Sequence, residues 1–364
     1  MKLKITRADF LRILTAALSV TDKKNTIPIL SSFLLEAELG QLKVTGTNLD
    51  ITLQTQTTAE VETPGKVCLN AKKLTEIVKA MPNEQIKIVV ADHQATLTCG
   101  TSRFKLQGQP KENFPEIPDL GTTLLTLPAR FIREAFTRLI HCTSNEESRW
   151  ALNGAKIELG EGKLIFAATN GHKLGYIEAP NNDGNYNQII PRKAMDEVSK
   201  HAEGDSVVEM RHSANHLSFT IGTLTLITRL ISGQFPNYQM VLPDPKQVKI
   251  RCTIERIKLL QAIQQASTMA DERTHSIKII LKENSCTVTA QAADVGEAST
   301  ECEAVYTGEP VEAGFNAVYL LDYLAIETAS QLTITAKDGN TQWQIEPVAE
   351  LDYQTRFIAM PMRL

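Results

Sequence analysis

Residues 42–48 (LKVTGTN) decide the fold of this chain, because the same pattern returns without a gap 122 residues later as residues 164–170 (LIFAATN). A further step of 122 leads to residues 286–292 (CTVTAQA), which keep the alternation of the segment but not its Thr-Asn ending. Self-similarity at a fixed period indicates a chain built from copies of one structural unit. We therefore divide the 364 residues into three repeats, 1–121, 122–244 and 245–364.

Proline-containing segments mark the ends of the first two repeats. Phe114-Pro115 is followed by Pro118, and Phe235-Pro236 is followed by Pro243 and Pro245. Segments of this kind are typical of connections between domains. The length of the chain also exceeds that of one ordinary domain, which favours two or three domains.

Each repeat carries two helical patterns. The first helices have apolar stripes at helical spacing: Phe10, Leu11, Leu14, Ala17 and Leu18; Phe131, Ile132, Ala135, Phe136 and Leu139; Leu259, Leu260, Ile263 and Ala266. The second helices are predicted to begin at Asn70-Ala71, Pro191-Arg192 and Asn316-Ala317, where a capping side chain or a first-turn proline favours a helix start. Short alternating runs between turn residues predict antiparallel strands. The expected fold is α+β, with two helices packed on antiparallel sheets in each of three repeated domains.

The composition is typical of a globular protein, with 42% hydrophobic and 22% charged residues. No apolar run approaches the roughly 18 residues of a membrane-spanning helix, and Arg7, Asp9 and Arg12 interrupt the N-terminal apolar pattern, unlike a secretory signal. The six cysteines are far apart and form no CxxC pair, which indicates reduced, buried thiols. We expect a cytoplasmic protein without disulfides and without membrane contact.

Positive charge is concentrated in the predicted helices. These stretches sum to +6, whereas the whole chain carries -4, so the remainder sums to -10. Lys and Arg are good helix formers, and a solvated helix face alone explains such counts. Repetition favours a polyanion surface instead, because Lys72-Lys73 and Arg192-Lys193 both open second helices, and Lys23-Lys24 and Arg149-Trp150 both follow first helices. Such groups contact phosphates without reading bases, so binding would be nonspecific and sensitive to salt.

Common catalytic and metal-binding motifs are absent from the sequence. It contains no P-loop, HExxH or GxSxG, and no GxGxxG between a strand and a helix. His212 and His216 have the spacing of a metal pair but no Cys or carboxylate company, and His172 lacks a catalytic partner at motif spacing. We interpret His172 as a histidine of a binding cleft or of a structural hydrogen bond. No cofactor, metal or catalytic residue is expected.

The C-terminus stays apolar to its last residues, although most chain ends are polar and loose. A final strand accounts for the residues up to about Ala359. Met360, Pro361 and Met362 extend beyond it, and flexible thioether side chains suit a groove that accepts several apolar peptides.

Four motifs in order carry a family resemblance: residues 26–30 (TIPIL), 169–174 (TNGHKL), 235–238 (FPNY) and 360–364 (MPMRL). Together they make the entire chain resemble the bacterial sliding clamp, the beta subunit of the replicative DNA polymerase. The resemblance implies a non-enzymatic processivity factor for DNA replication, a head-to-tail homodimeric ring lined by twelve helices that encircles double-stranded DNA. The implied partners are a clamp loader, the replicative polymerase alpha subunit, and other polymerases and repair proteins that bear short apolar clamp-binding motifs.

The resemblance also implies site residues. Lys24, Lys72, Arg149 and Trp150 are expected to face DNA, and the charge pattern adds Lys73, Arg192 and Lys193. The expected partner groove consists of Leu152, Thr169, Gly171, His172, Lys173, Leu174, Pro236, Met240, Val241, Ile358, Met360, Pro361 and Met362. Lys173 and Met240 stand where the family commonly has arginine, and Asn170 stands where aspartate is common, so partner preference is expected to differ.

The expected dimer contact joins Phe104 and Leu106 to Thr268 and Met269. Bulkier aliphatic residues are common at the last two positions in the family. A smaller apolar contact here predicts a ring that opens more easily.

Two other readings of the sequence predict different behaviour. A repeat-built scaffold would use the groove without encircling DNA, and would be a monomer or an open assembly. A nucleic-acid enzyme would place reactive side chains near the basic helices, and the sequence offers only ordinary Asp and Glu there.

Overall fold

The structure is a computed structural model that describes residues 1–21, 27–181, 184–292 and 296–363, apart from the side chain of Glu147. The chain forms two compact units. The first unit comprises residues 1–133 and 197–230, and the second comprises residues 134–196 and 231–364. The first repeat therefore lies in the first unit, and the third repeat lies in the second unit. The middle repeat contributes to both units.

Six α-helices occur within the described ranges, two in each repeat as predicted. They are α1 (Arg7–Leu18), α2 (Ala71–Ala80), α3 (Ala129–Ile140), α4 (Arg192–His201), α5 (Arg256–Ser267) and α6 (Ala317–Ile326). The predicted caps open two of the second helices, since Asn70 Oδ1 accepts from the Lys73 N–H at 2.9 Å and Asn316 Oδ1 accepts from the Val318 N–H at 2.9 Å. These side chains satisfy backbone donors that the first turn leaves unpaired.

The strands make up the rest of the regular structure. In chain order they are β1 (Lys2–Thr6), β2 (Ser32–Glu38), β3 (Gln41–Thr47), β4 (Ile51–Thr58), β5 (Glu60–Thr63), β6 (Gly65–Asn70), β7 (Gln85–Ala91), β8 (Gln94–Cys99), β9 (Ser102–Gln109), β10 (Thr122–Pro128), β11 (Gly154–Gly160), β12 (Lys163–Thr169), β13 (Lys173–Pro180), β14 (Tyr186–Pro191), β15 (Val207–His212), β16 (His216–Ile221), β17 (Leu224–Arg229), β18 (Ile250–Glu255), β19 (Ser276–Lys282), β20 (Ser285–Ala292), β21 (Gly296–Tyr306), β22 (Val311–Asn316), β23 (Gln331–Ala336), β24 (Trp343–Pro347) and β25 (Gln354–Ala359).

Each unit has one continuous antiparallel sheet. In the first unit the strand order is β10-β15-β16-β17-β4-β3-β2-β6-β9-β8-β7-β1-β5, and in the second it is β14-β11-β12-β13-β25-β24-β23-β18-β21-β20-β19-β22. In both sheets, a strand of one repeat pairs with a strand of the next repeat. In the first unit β4 of the first repeat pairs with β17 of the second, and in the second unit β13 of the second repeat pairs with β25 of the third.

Helices of the first and third repeats pack on the sheets of their own units. In the first unit α1 contacts α2, β3 and β4, and it buries Phe10, Ile13, Leu14 and Ala17. The contact is closest at Gly46 in the repeated segment, where an added Cβ would lie 2.6 Å from the Ala17 carbonyl oxygen. The corresponding positions 122 and 244 residues later are Ala168 and Ala290. A small residue at this point of each repeat is what a helix resting on the strand requires.

No helix in the described part of the chain is both long enough and apolar enough to cross a lipid bilayer.

Candidate functional site

An apolar cluster in the second unit brings together four separate parts of the chain. Leu152 ends a short 3-10 segment, Leu174 lies on β13, Ile358 lies on β25, and all three are buried. Val241, in a second 3-10 segment (Tyr238–Val241), packs against them. Leu174 and Ile358 are register partners, so the pairing of β13 with β25 creates the floor of this cluster.

A tight turn between β12 and β13 forms one rim of the cluster. The Thr169 hydroxyl donates to the Lys173 carbonyl oxygen at 2.7 Å, and Asn170 Oδ1 accepts from the backbone N–H groups of His172 (2.9 Å) and Lys173 (3.0 Å). Gly171 has φ +93°, a conformation that favours glycine. The turn therefore holds Gly171 and His172 exposed at a fixed position above Leu174.

The C-terminal tail is bonded to this turn. The Met360 N–H donates to the His172 carbonyl oxygen at 3.0 Å, and the Met362 N–H donates to the Gly314 carbonyl oxygen at 2.9 Å. Backbone bonds thus fix the tail while the side chains of Met360, Pro361 and Met362 retain solvent exposure. Pro236 is also exposed, and Met240 is 80% exposed. Of the predicted groove residues, Leu152, Leu174, Ile358 and Val241 therefore share one apolar cluster, and the tail is bonded to the turn beside it.

Lys173 occupies a different environment from the other predicted groove residues. Its side chain is only 3% exposed, and its ammonium pairs with Asp322 on α6 at 2.9 Å. The same ammonium lies 4.6 Å from the centre of the Tyr319 ring, within the range of a cation–π contact. This cation supports the turn from beneath.

Tyr319, which no sequence pattern indicated, lies against His172 and Lys173. Its ring stacks on His172 with centroids 6.3 Å apart and an interplanar angle of 19°. One signal was available, because Asp322 is a lone charge in the otherwise apolar helix α6 and so indicated a nearby cation. The stacking of His172 on Tyr319 depends on packing between distant parts of the chain, so no feature of the sequence indicates it.

Two phenol groups that belong to the cluster are held in the protonated form. Tyr238 donates to Glu158 and Tyr176 donates to Glu178. Burial, and then the hydrogen bond to the carboxylate, raises the pKa of both phenols well above the ordinary value. The two tyrosines therefore act as fixed hydrogen-bond donors within the cluster at neutral pH.

Three family models match the chain one after another. They describe the N-terminal, central and C-terminal domains of the DNA polymerase III beta subunit, and they match residues 1–118, 126–237 and 240–363. The chain belongs to the DNA polymerase III beta-subunit family. Curated beta sliding clamps cover the same length: those of Caulobacter vibrioides and Haemophilus influenzae are 31% and 30% identical, with 100% of each chain covered.

Solved beta-subunit structures agree with this assignment. The Pseudomonas aeruginosa sliding clamp bound to griselimycin has a TM-score of 0.94 at 28% identity, and the C. crescentus beta sliding clamp has a TM-score of 0.91 at 30% identity, both over 100% of each chain. The predicted family and the predicted α+β fold of three repeated clamp domains are confirmed.

The described residues that were predicted to face DNA lie at the starts of α2 and α4 and in the 3-10 segment that ends at Leu152. Lys72 and Lys73 occupy the first turn of α2 with exposed side chains, and Glu76 lies 3.9 and 3.0 Å from their ammonium nitrogens. Arg192 and Lys193 open α4, where Arg192 donates to Asn145. Lys24 lies outside the described residues.

Arg149 and Trp150 directly precede Ala151 and Leu152 of the apolar cluster. Arg149 pairs with Glu146 at 3.2 Å and donates to the Asn170 carbonyl oxygen at 3.3 Å. The half-exposed Trp150 ring covers Gly233 so closely that an added Cβ would lie 2.7 Å from it. Both residues were predicted to face DNA, and the structure places them against the loops that frame the predicted groove.

Two of the four predicted dimer residues lie on a strand edge that, within the described residues, has one neighbour. Phe104 and Leu106 share one face of β9, Thr268 and Met269 directly follow α5, and none of the four is fully buried. Among the described residues, 102–107 of β9 pair with β8 alone, since β6 reaches only Gly108 and Gln109. Likewise residues 296–303 of β21 pair with β20 alone, since β18 reaches only residues 304–306.

The two histidines with metal-pair spacing, His212 and His216, lie at the ends of neighbouring strands. Within the described ranges, no group of three or more His, Cys, Asp or Glu side chains is arranged to hold a metal ion. His212 ends β15 and His216 begins β16, and His212 Nε2 lies 3.3 Å from the Thr122 hydroxyl.

Proposed function

We propose that this chain is a DNA sliding clamp, a processivity factor that encircles duplex DNA without reading its sequence and tethers replication proteins to it. The observation that carries the proposal is the match to all three beta-subunit domains, in order, over the whole chain. We place the domain limits at 1–121, 122–244 and 245–364, as the 122-residue repeat indicates.

The ring closes head to tail, through the same kind of strand pairing that joins neighbouring repeats within the chain. β4, β13 and β21 are equivalent strands of the three repeats, and so are β17, β25 and β9. β4 pairs with β17 and β13 pairs with β25. The remaining members, β21 and β9, have open edges, and each would complete the sheet of a second copy. Phe104 and Leu106 would then meet Thr268 and Met269 of the partner in a homodimer.

The basic helix starts give the clamp its affinity for DNA. Lys24, Lys72, Lys73, Arg149, Arg192 and Lys193 would contact phosphates, and Trp150 would lie against a sugar or a base. Contacts of this kind at a solvated surface are weak and are screened by salt. Weak contacts suit the function, because a closed ring stays on DNA without binding it tightly. Tight contacts would prevent the ring from sliding.

The docking groove for partner peptides would lie over the apolar cluster of the second unit. Its buried floor of Leu152, Leu174 and Ile358 accepts apolar side chains, and the exposed methionines adapt to different sequences. The peptides belong to the replicative polymerase alpha subunit, the clamp loader, other polymerases and repair proteins. Tethering requires no reaction at this chain, which acts in the cytoplasm as a non-enzymatic subunit.

Retention on circular DNA tests the function. The protein is loaded on nicked circular DNA by a clamp loader with ATP, free protein is removed, and the circle is then cut once. A clamp stays on the circle and leaves the linear product through its ends. Blocking both ends with bulky protein should restore retention. Equal loss from circular and linear DNA would support the scaffold reading, in which the groove binds peptides but no ring surrounds the duplex.

A further inference from the structure

Two cysteines face each other across neighbouring strands of the second unit. Cys286 on β20 and Cys302 on β21 are direct register partners. Cα atoms of opposite residues in antiparallel strands are about 4.5–5.5 Å apart, and a disulfide spans Cα separations of about 4.4–6.8 Å. Side chains of register partners also share one face of the sheet. The strands therefore hold these thiols within bonding reach without a movement of the backbone.

The two thiols differ in access and in acidity. Cys286 is fully buried, whereas Cys302 is partly exposed and its Sγ lies 3.5 Å from the Cys286 carbonyl oxygen. The hydrogen bond with Cys286 lowers the pKa of Cys302, and nearby Lys258 lowers it further. The interaction with Cys302, followed by burial, raises the pKa of Cys286. Attack by a thiolate on an oxidant thus begins at Cys302, the accessible member of the pair.

We propose that Cys302 and Cys286 form a peroxide-sensitive thiol pair that is reduced in the resting protein. The Cys302 thiolate attacks hydrogen peroxide, the O–O bond breaks, and the products are Cys302 sulfenic acid and, after protonation, water. The Cys286 thiol then displaces hydroxide from the sulfenic sulfur, which forms the S–S bond and releases a second water. Two thiols are oxidised, one peroxide is reduced, and a cellular dithiol reverses the change by exchange.

The location of the pair connects this oxidation to ring closure, and this step rests on the proposed function. Cys302 lies in the part of β21 whose one strand neighbour, among the residues that the structure describes, is β20. A disulfide would fix the twist of β21 against β20 beside the edge that pairs with β9 of the partner subunit. We expect the oxidised ring to dissociate faster than the reduced ring.

Peptide mapping of the native, full-length protein tests the modification. The protein is treated with hydrogen peroxide, then unfolded in N-ethylmaleimide and digested. The expected product is a Cys286–Cys302 linked peptide, formed before oxidation of Cys68, Cys99, Cys142 or Cys252. Cys302→Ser should abolish it, and Cys252→Ser, a buried neighbour in the same domain, should retain it.

A second variant keeps the test valid if one substitution disturbs folding. In Cys286→Ala the resolving thiol is absent, so dimedone should label Cys302. Random oxidation of all six cysteines, or a bond from Cys302 to Cys252, would overturn the proposal.

The effect on the ring is measured separately, by the exchange rate of subunits carrying different fluorophores. Peroxide should accelerate exchange in the parent protein and in Cys252→Ser, and leave Cys302→Ser unchanged. A disulfide with unaltered exchange would overturn the link to ring closure. A reduced protein that forms no ring would refute the proposed function, while the mapped disulfide would still stand.

Discussion

At Lys173 the sequence predicted a groove residue but did not predict the buried ion pair that the side chain forms. The sequence placed Lys173 among groove residues, and the structure buries its ammonium against Asp322 and the Tyr319 ring. Its neighbours Asp322 and Tyr319 belong to a different repeat, and no local sequence pattern indicates that they contact Lys173.

Lys173→Met should lower the free energy of unfolding by about 2 kcal/mol, less than for a fully buried pair because Asp322 is 42% exposed. Urea titration measures the change. Lys173→Arg keeps the charge and should lose little; equal stability of both variants would contradict this account.

His141 makes stability depend on pH. It stacks on Phe357 with centroids 5.6 Å apart, and burial, followed by nearby Lys173, lowers its pKa from 6.5 to about 4. The unfolded chain therefore takes up this proton at a higher pH than the folded chain. The contribution of His141 is complete above pH 6.5 and falls by about 3 kcal/mol as the pH drops toward 4.

The variant His141→Phe isolates this effect, because it keeps an aromatic ring and removes the titrating group. Urea unfolding of both proteins is compared from pH 7 to pH 4. The stability of the parent should fall more steeply than that of the variant across that window. Parallel curves would show that His141 does not control the acid sensitivity.

At the scale of single elements, all six helices were predictable, but their buried faces only in part. On α1 the sequence predicted Leu11 and Leu18 in the stripe, whereas Ile13 is buried and those two leucines are half-buried. The face that α1 buries is set by α2, β3 and β4 together, and the helical period alone does not specify it. The groove was less predictable still, since β13 and β25 come from different repeats and only family motifs indicated that they meet.

The first turn of α2 supports a prediction about DNA binding. Replacing both Lys72 and Lys73 by Gln should weaken binding at every DNA sequence alike. If each lysine neutralises one phosphate, the slope of log affinity against log salt should become shallower by about 2. Fluorescence anisotropy at several salt concentrations measures it. Glu76→Gln is the matched control, because it removes the carboxylate beside both lysines and should strengthen binding. An unchanged slope would remove α2 from the DNA surface.

For the whole molecule, the repeat period and the family motifs were sufficient to predict three domains and the clamp family. The sequence did not reveal that each unit contains one sheet running across a repeat boundary. Such continuity depends on strand pairs such as Thr55 with Leu224, which lie far apart along the chain and carry no mutual signal.

A charge on β9 should separate ring formation from peptide binding. Leu106→Lys places an ammonium on the face proposed to contact the partner subunit, so sedimentation should show monomers and DNA retention should be lost. Binding of a groove peptide should remain, since the groove residues belong to the other unit. Gln107→Lys adds the same charge on the opposite face of β9 and should stay dimeric. Intact dimers of Leu106→Lys would refute the proposed interface.

The open edges of β9 and β21 have a consequence for assembly. Two different, complementary edges on one subunit form a heterologous joint, and such a joint does not by itself limit how many copies associate. Closure after two copies must come from the angle between the ends of the subunit. A substitution that alters this angle, far from either edge, could leave every joint intact and still yield open fibres in place of rings.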